Sequence, residues 1–117
     1  MIVGIGTRRG ITKEEVIEAV KQALDECGLN LGEITAFASA KLKENEQGLL
    51  EAGETLGIPV NFLPDEVLNS YSPPSASQAS RFGLKGVAEP AALALSEEKQ
   101  LICRKKIYGR VTIAIAR

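Results

Sequence analysis

The sequence predicts an α/β protein: a single three-layer α/β/α domain over residues 1–117, with a mixed, mostly parallel sheet of about five strands. Three observations predict it. Short apolar runs alternate with helical periodicity up to residue 63, giving the order β-α-β-α-β, which implies parallel strands and right-handed crossovers. Two β-rich runs, "KQLICRKK" and "RVTIAIAR", close the chain and read as an antiparallel hairpin. The length of 117 residues, 44% of them hydrophobic, suffices for one core and is too short for two.

Residues 2–5 read as a buried strand, and a helix is expected over about 12 to 27. Thr12 is its N-cap and Glu15, three residues on, completes a capping box. Val16, Ile17, Val20, Ala23, Leu24 and Cys27 share one helical face, and Gly28 stands where a C-terminal glycine stops a helix. The run "ITAFASA" at 34–40 reads as a second buried strand. Leu49, Leu50, Ala52, Gly53 and Leu56 form a second helical face ending at Gly57, and "PVNFL" follows as a short third strand. Beyond it, "PDEVLNS" makes one or two helical turns with Pro64 at the first helical position. A loop is expected at 71–77 and a short helix at 76–82. "VAEPAALALSE" forms a further helix, with Pro90 tolerated only in its first turn. The closing hairpin is expected to turn at 107–109.

The composition excludes several function classes. Fourteen basic and fifteen acidic residues nearly cancel, so no global field draws in nucleic acid or a membrane surface. No signal peptide or transmembrane run is visible, and the expected location is the cytoplasm with reduced thiols. Cys27 and Cys103 lack metal-ligand spacing and read as small buried hydrophobes. The absence of histidine removes Ser-His-Asp and Cys-His chemistry and His-ligated metals, so acid–base work falls to Glu, Asp, Lys, Tyr or the substrate.

The stretch "IVGIGTRRG" at 2–10 puts glycines where α/β folds bind phosphates. Its spacing, Gly4-x-Gly6-x-x-x-Gly10, is one residue too long for the dinucleotide fingerprint, and the acid expected after the second strand is missing. Ile11-Thr12 stands where a P-loop needs Lys-Ser or Lys-Thr. Arg8 and Arg9 read either as solvated loop charges or as a carboxylate clamp. A parallel sheet places Lys41 and Lys43 on the same edge. Three acids, Glu44, Glu46 and Glu89, are placed near it; Glu44 and Glu46 are two apart and cannot share a helical face.

Together, "GIGTRRG", "ASAKLKENEQGLLEAGETLGIPVNFL", "GVAEPAALA" and the closing "VTIAIAR" resemble one family, the C-terminal domain of the cobalamin-biosynthesis protein CbiG, also found alone as CobE. The resemblance covers nearly the whole chain. The family's first block often reads Gly-x-Gly-Cys-Arg-Arg-Gly; Thr7 stands in the cysteine's place, which counts against an essential thiol there. Ser39, Lys43, Glu46, Gly48 and Leu49 match the second block, and Gly86, Val87, Glu89 and Ala91 the third. The resemblance implies the anaerobic pathway of cobalamin synthesis and a share in cobalt-precorrin-5A hydrolysis, which opens a δ-lactone and releases acetaldehyde. The alternative is a corrinoid-binding or carrier module without chemistry. The implied ligand is a corrinoid precursor rich in carboxylates. Its cobalt belongs to the substrate, and no separate cofactor or protein metal site is expected. Full-length relatives carry N-terminal domains, so this chain is read as a separate subunit or as part of a longer protein, with those domains or other pathway enzymes as partners. The expected substrate-binding residues are Gly6, Thr7, Arg8, Arg9, Gly10, Ser39 and Lys41. Glu46 or Glu89 is the expected base and Lys43 a proton donor, with Arg8, Arg9 or backbone N–H groups as oxyanion donors.

Overall fold

Residue patterning divides the strands into one large-residue face and one small-residue face, and the layers follow from that division. The computed structural model describes residues 1–71 and 87–117. The loop expected at 71–77 (beyond its first residue), the short helix at 76–82 and the Gly86 match lie outside the described residues. The strands are β1 (Ile2–Thr7), β2 (Ala36–Ala40), β3 (Val60–Leu63), β4 (Leu101–Tyr108) and β5 (Val111–Ala116). The helices are α1 (Lys13–Cys27), α2 (Gln47–Leu56), α3 (Asp65–Asn69) and α4 (Ala88–Leu95), with 3-10 turns at Leu31–Glu33 and Lys41–Lys43.

The five strands form one sheet in the order β3-β2-β1-β5-β4. β1, β2 and β3 pair in parallel, while β5 runs antiparallel to both β1 and β4. Four strands therefore share one direction and β5 alone opposes them, the mixed, mostly parallel sheet that the sequence predicts.

Val3 and Ile5 of β1, Phe37 of β2, and Val111, Ile113 and Ile115 of β5 form the large-residue face, covered by α1 and α2. Ile2, Ala38, Ala40 and Ala116 alternate with them and face α3 and α4. Because that second face is small, α4 approaches very closely. A Cβ on Gly4 would stand 1.9 Å from the Ala88 carbonyl oxygen. Gly4, first met as part of a possible nucleotide fingerprint, is thus required by helix-on-strand packing.

Helix α1 carries its predicted signals: Thr12 and Glu15 form the capping box, and Gly28 closes the helix with φ 67°. Three boundaries differ from expectation. β2 begins at Ala36, because the preceding segment folds into the 3-10 turn and Thr35 bonds back to the Met1 carbonyl through both N–H and hydroxyl. Pro64 caps α3 from outside the helix, with ψ 159°. The hairpin turns at Gly109 and Arg110, later than the expected 107–109, because β4 stays paired through Tyr108 and Gly109 (φ 63°) supplies the left-handed turn residue.

The cysteines also depart from expectation. Cys27 and Cys103, read as free buried thiols, form a disulfide across a sequence separation of 76 residues. Neither residue's local sequence signals the bond. The sheet order creates it, by carrying edge strand β4 under the C-terminal end of α1. Glu26 adds to the same junction by accepting from Lys106 at 2.6 Å and from the Tyr108 hydroxyl at 3.1 Å.

Candidate functional site

The edge where β1, β2 and β3 end gathers three turns. The β1–α1 turn holds Arg8, Arg9 and Gly10, the β2–α2 connection holds Lys41, Lys43 and Glu46, and the β4–β5 turn holds Arg110. The register Gly4↔Ala38, continued three residues, brings Thr7 level with Lys41. Parallel pairing therefore makes neighbours of the first two turns.

Gly10 joins all three. It takes φ 78°, a backbone conformation open to glycine. Its N–H donates to Glu46 Oε1 at 3.0 Å, and its carbonyl accepts from Arg110 Nη2 at 3.3 Å. Arg110 also forms a two-pronged pair with Glu15, at 2.8 Å from Nε and 2.5 Å from Nη2. The Arg110 carbonyl in turn accepts the Arg8 N–H at 3.1 Å. Arg110 holds the Glu15 carboxyl down at about 2, chiefly through this hydrogen bonding. Glu15 likewise raises the Arg110 guanidinium above its ordinary value.

The start of α1 is occupied by its own cap. The Glu15 N–H donates to Thr12 Oγ1 at 3.2 Å, and the Thr12 N–H to Glu15 Oε1 at 3.4 Å. This leaves less of an open anion cradle than a phosphate loop requires. Gly48 opens α2 and touches the same turn: a Cβ there would stand 2.2 Å from the Ile11 carbonyl oxygen. Gly6 has ordinary space around it, with Thr112 and Val87 at 3.7 Å from a built Cβ.

The expected site residues separate into two groups. Arg8, Arg9 and Lys41 are exposed and Lys43 half-buried. Among the described residues, the side chains of these four have no hydrogen-bond or ion-pair partner. Between the lysines, Leu42 is 62% exposed, a large apolar side chain directed at solvent. Glu46 is half-buried, with one carboxylate oxygen on Gly10.

The second group lies inside. Ser39 is fully buried and its hydroxyl donates to the Ile5 carbonyl at 2.6 Å, joining β2 to β1. Glu89, 1% exposed, accepts the Lys105 N–H at 3.0 Å, where the β4–β5 register shifts between Cys103 and Lys106. Its carboxylate supports an irregular edge strand. Thr7 Oγ1 is buried and, among the described residues, has no partner. Sequence reasoning missed Arg110, Leu42 and the outward role of Glu15. Arg110 carried no signal, because its partners lie more than ninety residues away and meet it only through the β1–β5 pairing.

Comparison with known proteins adds the decisive observation: the family described as "Cobalamin synthesis G C-terminus" matches residues 1–116. The chain belongs to this family. Proteins similar to it include "Cobalt-precorrin-5A hydrolase" of Priestia megaterium, 32% identical over 99% of this chain. "Protein CobE" of a Sinorhizobium species is 30% identical over 99% of this chain and 79% of its own length. This chain spans 32% of the Priestia protein and 39% of a probable cobalt-precorrin-5A hydrolase of Methanocaldococcus jannaschii, so about a third of those relatives. Among solved structures, CobE "from the cobalamin (vitamin B12) biosynthetic pathway" superposes with TM-score 0.85 and 38% identity, over 97% of this chain and 86% of that one. The chiG protein of Agrobacterium tumefaciens gives TM-score 0.77 and 29% identity, over 97% and 94%. Among the described residues, no helix is long and apolar enough to cross a membrane.

Proposed function

We propose that this domain grips a corrinoid precursor in cobalamin synthesis and takes part in the hydrolysis of cobalt-precorrin-5A. One observation carries the reading. Among the described residues, the side chains of Arg8, Arg9, Lys41 and Lys43 stand without partners on one sheet edge, while Glu15 is bound by Arg110 and Glu46 is tied to the Gly10 N–H. Counting the exposed Glu44 against these four cations, the edge still presents net positive charge on a chain whose net charge is only −1. Corrinoid precursors carry acetate and propionate groups around an apolar ring. Guanidinium and ammonium groups suit the rim, and the exposed Leu42 suits the ring.

Lactone hydrolysis requires water to attack the ester carbonyl, a tetrahedral oxyanion to form, and the ring C–O bond to break. Glu46, half-buried with one oxygen on the Gly10 N–H, acts as base toward the attacking water; Arg8 or Arg9 receives the oxyanion; Lys43 returns a proton to the departing oxygen. Glu89 and Ser39 contribute by fixing β4 and β2 from within. The corrinoid and the N-terminal portions of longer relatives are the expected partners, and the cytoplasm the expected location.

The test is acetaldehyde release from cobalt-precorrin-5A by this protein, with corrinoid binding measured in parallel. Arg8→Ala and Arg9→Ala should each weaken binding about tenfold, the loss of one charge-assisted contact. Binding without acetaldehyde would leave a corrinoid-holding module and place the chemistry elsewhere. Equal affinity for a fully esterified corrinoid would overturn the carboxylate grip.

A further inference from the structure

We infer that Arg110 is the positioning residue of the basic edge: it sets the conformation from which Arg8 and Arg9 meet a polyanion, without being a ligand contact itself. The inference rests on the polyanion reading above.

The turn between β1 and α1 contains Gly10 and carries two long, exposed arginines. Left to itself, such a turn would sample many backbone states, and a ligand would have to order it on binding. Three backbone groups of the turn are fixed instead. The Arg8 N–H donates to the Arg110 carbonyl, and the Gly10 carbonyl accepts from the Arg110 guanidinium. The Gly10 N–H donates to Glu46. Two of the three depend on Arg110, one through its main chain and one through its side chain. The guanidinium is aimed by Glu15, and Glu15 is fixed by the Thr12 cap. The chain of contacts runs from the hairpin through the first turn of α1 to the turn bearing Arg8 and Arg9, on both sides of them.

The geometry separates positioning from charge. A lysine keeps the positive charge but has no planar fork, and so cannot hold Glu15 by two contacts while also reaching the Gly10 carbonyl. If Arg110 served as one more cation for the ligand, Arg110→Lys would retain affinity. If it positions the turn, Arg110→Lys should behave like Arg110→Ala.

The experiment measures two quantities on the wild type, Arg110→Ala and Arg110→Lys, well below their unfolding temperatures. One is the affinity for uroporphyrin, a tetrapyrrole ringed with carboxylates. The other is amide hydrogen exchange at Arg8 and Gly10 relative to core amides. Expected are a roughly fivefold to tenfold loss of affinity in both variants and exchange about tenfold faster at Gly10, while the Arg8 N–H keeps its main-chain acceptor at position 110 and core amides are unchanged. Wild-type affinity in either variant, or unchanged exchange at Gly10, overturns the inference. Failure of the wild type to bind uroporphyrin removes the polyanion reading, and the exchange data then decide the positioning alone. Should Arg110→Ala not fold, Glu15→Gln replaces it, removing the charge that aims the guanidinium while keeping the length of the side chain. The same local rise in exchange is expected, and its absence overturns the inference.

Discussion

Thr7 and Ser39 are small hydroxyl residues at the ends of adjacent strands, with opposite hydrogen-bonding fates. The Ser39 hydroxyl donates to the Ile5 carbonyl at 2.6 Å in a fully buried setting, so Ser39→Ala should cost about 1–2 kcal/mol. The Thr7 oxygen is buried and has no partner among the described residues, so Thr7→Val, which keeps the branched shape that strands favour, should stabilise by about 1 kcal/mol. Urea unfolding of the pair checks both signs at once, and a destabilised Thr7→Val would mean that the hydroxyl is bonded in solution. Glu15 gives a prediction in pH. Its carboxyl titrates at about 2 in the folded protein against an ordinary 4.5, mainly through Arg110. A depressed acid contributes stability that is fully present above 4.5 and disappears as pH falls toward about 2. The clasp should therefore stay closed through ordinary acid conditions. The Glu15 carboxyl resonance, followed by NMR at low salt, should titrate near the lower value, and added salt should raise the midpoint. The sequence identified Glu15 as a cap but not as the partner of Arg110, since a capping box is a local pattern and the ion pair is not.

Between elements, close approach gives a physical reason for a glycine that the sequence offered only as a family match. Gly48 lets the first turn of α2 rest on the backbone of the β1–α1 turn, where a Cβ would come within 2.2 Å of the Ile11 carbonyl oxygen. Gly48→Ala must therefore move α2 or the turn, and should destabilise by about 2–3 kcal/mol. It should also disturb the Glu46–Gly10 bond, so uroporphyrin affinity should fall even at temperatures where the variant is fully folded. Much of this was readable in the chain: the order of the first five elements, the α1 caps and the shared edge of Arg8, Arg9, Lys41 and Lys43 all follow from periodicity and parallel topology. Glu89 was harder to read. Placing an acid at the start of α4 was correct, but only the small-residue face of the sheet decides that the helix sinks deep enough to bury its carboxylate against the Lys105 N–H. Depth of burial depends on partner strands that no local pattern specifies.

For the whole molecule, the Cys27–Cys103 disulfide encloses most of the chain, with 76 residues of separation. Closing so long a loop restricts the unfolded state substantially, so reduction should lower stability by about 2–4 kcal/mol while leaving the native sheet assembled. Thermal unfolding with and without reductant, beside Cys27→Ser, measures the effect; identical midpoints would show that the bond contributes nothing in solution. The expectation of free thiols failed because neither cysteine's neighbourhood reveals which strand becomes β4's partner, and only the order β3-β2-β1-β5-β4 brings the sulfurs together.

The Ile2↔Ala116 pairing places both chain ends at the sheet edge opposite the basic turns. Material attached at either end, whether a tether to a surface, a label or another folded unit, leaves the chain from the far side and has no need to cross the cationic edge. The ends also lie close enough to be joined by a short linker, so a circularly permuted protein could be reopened elsewhere with the arginine turn intact.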